Sequence, residues 1–207
     1  NTIAGTTTFA NTGTVTLGNG SDTINFTGGV VATAPSGVNV AGTITAAGTG
    51  VINLGVPVSV NANTTIGGTS TGNITLGAAT LVDSATLTVG TGIANAISLS
   101  SVSGTASGTS SNLTINTTGA VTVSGAIGTD IGTLTITNSG GATFSSTVDA
   151  ATVTLTNTTG AITFGGNLTL SSGLTASAAA YNVAINGSSN TIAGTTTFAN
   201  TGTVTLG

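Results

Sequence analysis

The sequence predicts an all-β chain wound as a parallel β-helix (a β-solenoid), and three observations predict it. Segments such as "TVTL" (14–17), "TLTV" (86–89), "TLTI" (133–136), "AITF" (161–164) and "NLTL" (167–170) alternate apolar and polar residues with a period of two. They are rich in β-branched residues, the pattern of a strand with one face buried. These segments recur at a nearly constant pitch. The chain also returns to its own beginning: "NTIAGTTTFANTGTVTLG" occupies residues 1–18 and again 190–207. Helices are not expected, because Thr, Val, Ile and Gly dominate while Glu, Gln, Lys and Arg are missing.

The central apolar residue of one recurrent strand is expected at Ile3, Ile24, Ile44, Ile66, Leu87, Leu113, Leu134, Val153, Leu174 and Ile192. The steps between them average about 21 residues, a period in the range of solenoid repeats. A second strand follows each first one, with inward pairs at Val15 and Leu17, Ile52 and Leu54, Ile74 and Leu76, Ile97 and Leu99, Val121 and Val123, Ala142 and Phe144, Ile162 and Phe164, and Val183 and Ile185. In the second turn "VVAT" (30–33) takes this place. A third, looser strand shows as "VNV" (38–40), "VPVSV" (56–60) and "NLTL" (167–170). Strands this short and this regular are expected to stack in parallel, rung on rung, since one rung cannot bury its apolar row alone. A repeat of nine rungs, at about 4.8 Å each, is then roughly 43 Å long. Residues 1–207 read as one continuous solenoid, 1–189 being a full repeat and 190–207 the start of the next.

The corners and the core follow from the same alignment. "NTTG" (116–119), "NSGG" (138–141), "NTTG" (157–160) and "NTG" (11–13) mark one recurring corner. Asn and Gly tolerate the positive φ of a tight turn, and stacked Asn side chains can also hydrogen-bond along the axis. Phe144 and Phe164 lie one rung apart in the same register and should stack inside, with Ile185 next, while Thr143 and Thr163 point outward. The longest step, from Leu87 to Leu113, calls for a protruding loop, placed at "SVSGTASGTSS" (101–111).

Composition excludes several classes of function. With no Lys, Arg or His and a net charge of −4, the chain has no electrostatic footprint for nucleic acid or for an anionic membrane surface. No apolar run approaches the roughly 18 residues of a spanning helix. There is no Met start or leader pattern, so any targeting signal is expected outside these residues. Cys is absent.

Little chemistry is available. A Ser or Thr nucleophile needs a base, and neither His nor Lys is present. No catalytic, cofactor-binding or metal site is therefore assigned, and no enzyme activity is expected. The four acids, Asp22, Asp83, Asp130 and Asp149, fall near one expected corner. Asp130 and Asp149 occupy adjacent rungs and would lie about 5 Å apart, close enough to share a Ca²⁺; turn chemistry and solubility are the plainer reading, since no RTX nonapeptide or EF-hand loop is present. Sequons at Asn25, Asn63, Asn73 and Asn157 are what a chain rich in Asn and Thr contains by composition. Outward pairs Thr43 and Thr45, Thr86 and Thr88, Thr133 and Thr135, Thr152 and Thr154 suggest a Thr-x-Thr array like the ice-binding face of some solenoids, with rows interrupted at Asn25, Gly67, Asn112, Gly173 and Ala193.

The stretch "TLTITNSGGATFSSTVDAATVTLTNTTGAITFGGNLTLSSG" (133–173) resembles bacterial surface β-strand-repeat proteins, including filamentous-haemagglutinin-like and autotransporter-passenger stalks. The resemblance covers nearly the whole chain and lies in composition and period. It implies a right-handed parallel β-helix, secretion to the cell surface, and a role in adhesion or extracellular matrix. The expected function is a structural repeat module of an extracellular fibre or filament, partnered by further copies of the same repeat, fused or stacked end to end, with lateral fibre contacts. The alternatives are an adhesin stalk carrying a binding domain elsewhere and, less favoured, an ice-binding solenoid.

Overall fold

A computed structural model describes residues 1–207, and every regular element in it is a strand. All ladders are parallel. The chain winds about nine times, with about 22 residues per turn. Each turn visits three faces. The second face is a ten-stranded sheet running from Thr7–Phe9 to Val204–Leu206. The third and first faces belong to one fifteen-stranded sheet, because several strands run across both. Val38–Ala46, Val58–Gly68, Val148–Thr158 and Leu168–Ala176 each bend at a corner without breaking. In Val38–Ala46 the bend falls at Gly42, whose φ of 82° an L side chain rarely adopts. A Cβ there would also strike the Asp22 backbone.

Pleat alternation puts one apolar row on the inside of each strand. Forty-seven buried residues, from Val15 to Ile185, form one continuous core. Phe144 and Phe164 are neighbours in the second-face ladder, with Phe164 beside Ile185. Their rings stack at 5.1 Å between centroids and 12° between planes. Phe9 and Phe26 form a second contact, edge to face at 6.5 Å.

The second face follows the expected register from Ile52 to Ile185, and "VVAT" supplies its strand in the second turn. The first face requires a correction. The expected row splices together two inward rows. Ile24, Ile44 and Ile66 continue through Val89, Ile115, Ile136, Leu155 and Ala176 to Phe198. Leu87, Leu113, Leu134, Val153 and Leu174 form the other row, and Leu87 stands beside Thr64 rather than Ile66. Ile3 stands beside Phe26, and Ile192 leaves the first face for Leu170 on the third. A shift of two positions keeps the same side of the strand inward, so apolar alternation alone does not reveal it.

The two identical terminal stretches lie in different frames. At the start, Thr2–Ile3 joins the first face, Thr7–Phe9 the second and Val15–Leu17 the third. At the end, Thr191–Ile192 joins the third face, Thr195–Phe198 the first and Val204–Leu206 the second. The expected placement of Val15 and Leu17 on the second face is thus seen only in their counterparts Val204 and Leu206.

The corner between the first and second faces carries a buried polar spine, though not the expected Asn stack. Ser70, Asn95, Thr117, Ser139 and Thr158 are buried there. Thr117 Oγ1 has the carbonyls of Ile93 and Asn95 within reach as alternative acceptors of its one proton and accepts from Gly119 N, and Asn95 Nδ2 donates to the carbonyls of Ser70 and Gly72. The Asn residues one step earlier, Asn116, Asn138 and Asn157, neighbour one another in the ladder but face outward. The predicted loop is also narrower than expected. Val102–Gly104 is a third-face strand with Val102 buried, and Ser111 is buried as well, leaving only 105–110 as a continuous exposed stretch.

Candidate interaction surface

The corrected register changes what the first face presents to solvent. With Ile66 beside Val89, Thr65 stands beside Thr88. The outward row then reads Thr23, Thr43, Thr65, Thr88, Thr114, Thr135, Thr154, Thr175, Thr197. It is unbroken over nine rungs. The expected interruptions fall in flanking rows: Asn25, Thr45 and Gly67 on one side, Thr86, Asn112, Thr133, Thr152, Gly173 and Thr195 on the other. Ala193 lies outside the first-face strands. A signal for the row was present in the sequence. In every first-face strand from Thr23–Phe26 onward the row threonine directly precedes an inward apolar residue, as in Thr65–Ile66, Thr88–Val89 and Thr197–Phe198.

Every row threonine is half-buried or exposed. Their hydroxyls make no hydrogen bond within the protein, unlike the corner hydroxyls of Thr64, Thr91, Thr105, Thr117 and Thr158, which donate to backbone carbonyls. Nor do adjacent row hydroxyls bond one another, as those of Ser139 and Thr158 and of Thr14 and Ser36 do between neighbouring rungs at the corners. At a corner the chain turns and offers a carbonyl, whereas along a straight ladder every carbonyl is taken by the neighbouring strand. A shallow open concavity lies over the early part of the row, lined by Thr43, Asn63, Thr65, Thr86 and Thr88.

The four acids do not converge. Asp22, Asp83 and Asp130 lie in the corner between the third and first faces, where Asp22 Oδ2 accepts from Asn19 N at 3.0 Å and Asp130 Oδ1 accepts from Ser110 Oγ at 2.8 Å. Asp149 sits instead within the third-face part of its strand, and its ladder register places Gly128 beside it. A turn of two positive-φ residues, Thr129 and Asp130, separates Gly128 from the next strand. No three of the acids come together in a group that could hold a metal ion. Asp130 occupies its turn with a positive φ of 63°. Of the sequon residues, Asn63, Asn73 and Asn157 are exposed and Asn25 is half-buried. No helix is long and apolar enough to cross a membrane.

No family model, curated protein or solved structure matches this chain.

Proposed function

We propose that this solenoid is a structural repeat module of an extracellular fibre or cell-surface filament. The observation that carries the reading is the return of residues 1–18 at 190–207 in a fold whose rungs need neighbours on both sides. Parallel hydrogen bonds run along the axis, and one apolar core runs through every turn, so the fold is extended simply by adding rungs. Load along such an axis is shared by the ladders and by the continuous core. The sparsely charged outer surface, which carries a few Asp and no cationic side chain, suits a solvated spacer or lateral contact between fibres, and the absence of Lys and Arg leaves no trypsin site in the repeat. Secretion and a place at the cell surface belong to the same proposal.

The test is the mass of the natural polypeptide under full denaturation, with electron microscopy of the native material. Several copies of the repeat on one chain, seen as thin filaments, are the expected result. A denatured mass of one repeat unit, in particles that do not associate end to end, overturns it.

A further inference from the structure

We infer that the first face binds ice through its unbroken threonine row. Nine Thr side chains stand in register, one on each rung. At about 4.8 Å per rung the row is about 38 Å long. Thr is β-branched, so its χ1 is restricted and its hydroxyl and methyl repeat in fixed orientation from rung to rung. The row hydroxyls find no partner in the protein, neither a backbone carbonyl nor one another, unlike the ladder neighbours Ser139 and Thr158, whose hydroxyls bond each other. Each gap is the length that one water bridges by bonding to both hydroxyls. The row therefore imposes its period on a file of water, and the methyls between the hydroxyls hold that water beside apolar surface, where its orientations are restricted.

The face fits crystalline water better than a macromolecule. The row itself carries no charged residue, so nothing on it steers a charged partner. The exposed large hydrophobics of the molecule are Ile3, Val51, Val82 and Leu206, none of them on the row. A protein interface draws its affinity from buried aromatic and Arg anchors, and the row has none. What it offers is a rigid, uncharged, periodic set of free hydroxyls, which is complementary to a lattice of hydrogen-bonding sites. The inference holds for a single chain whether or not it continues into a fibre.

The test is partition of the purified chain into slowly growing polycrystalline ice, with the rate of ice recrystallisation as a second readout. Thr114→Lys and Thr135→Lys place a long charged side chain on the row; Thr143→Lys places one on the second face, where Thr143 is exposed and points outward. Circular dichroism and melting temperature are recorded for each variant. The wild type and Thr143→Lys should concentrate in the ice and slow recrystallisation. The two row variants should fall to the level of a non-binding protein while melting as the wild type does. If a Lys variant misfolds, Thr135→Ala takes its place and should lower the ice-held fraction. Exclusion of the wild type from ice overturns the inference, as does equal loss in Thr143→Lys or an unchanged fraction in a folded row variant. A wild-type dimer that Thr135→Lys dissolves, without ice partition, assigns the face instead to a second copy of this chain.

Discussion

Val15 and Val204 hold the same place in two identical stretches, 1–18 and 190–207, yet Val15 pairs with Val38 on the third face and Val204 with Val183 on the second. Identical local sequence therefore does not decide the frame; the rung already in place does. In the opening frame Thr16 neighbours Asn39. In the closing frame, transposed to residues 1–18, it would neighbour Val31. Neighbouring strands bring Cα atoms about 4.8 Å apart, within disulfide reach. The pair Thr16→Cys with Asn39→Cys should cross-link readily on mild oxidation, and Thr16→Cys with Val31→Cys should not. The reverse result would place the opening stretch in the closing frame.

The same conflict bears on a tandem array. An internal copy of the stretch can occupy one frame only. Along the first-face row the shortest step runs from Ile136 to Leu155 and the longest from Val89 to Ile115. Keeping the opening frame leaves one turn only the chain from Ala176 to Asn190, and keeping the closing frame leaves it only the chain from Phe9 to Ile24. Both are shorter than the shortest step in the solenoid, so either way one rung per repeat is too short for three faces. In a two-repeat polypeptide proteinase K should cut first at this junction or in the exposed 105–110 loop, giving repeat-sized fragments. First cuts within the ladders of 131–176 would contradict the stacking order.

Phe164→Ala should cost about 3–5 kcal/mol, because it opens a cavity against the Phe144 ring. Thr163→Ala, one position earlier and outward, should change stability by no more than about 0.5 kcal/mol. Denaturant titration of the two variants checks the register, since equal costs would mean that inside and outside have been exchanged.

Thr117→Val keeps the shape of the buried side chain but removes the oxygen that accepts from Gly119 N. Leaving that N–H unpaired should cost about 1–3 kcal/mol. Thr118→Ala, exposed beside it, should be close to neutral. The comparison, read from thermal melts, separates the inward hydroxyl spine from the outward part of the same corner.

Tyr181 is the only tyrosine, and burial pushes its phenol above the ordinary value of 10.0. In the folded state the phenol stays protonated after the unfolded chain has begun to ionise. The unfolded state then holds fewer protons, so stability is intact below about pH 10 and falls as pH rises through the folded pKa. Melting temperature followed into alkali should drop for the wild type and much less for Tyr181→Phe. A parallel drop in both would place the alkaline weakness elsewhere.

Much of this architecture is legible in the sequence. Period-two segments of β-branched residues at a steady pitch leave few alternatives to stacked parallel strands, because only stacking buries each row. The Phe144–Phe164 contact follows directly, since both lie in short strands joined by corners of matching length. The first-face register does not follow: the insertion around 82–85 moves Thr88, not Thr86, beside Thr65, and a shift of two positions leaves the inward pattern unchanged. With it goes the continuity of the threonine row, which the alternating pattern shows only as fragments. The buried corner side chain lies one position beyond the expected Asn, because Asn and Thr are adjacent in "NTTG" and only the turn of the chain decides which points inward. Local sequence thus determined strand content, pitch and core. The frame of the terminal stretches, the register across insertions and the choice of buried corner residue were decided by contacts between rungs about 20 residues apart, which no local pattern encodes.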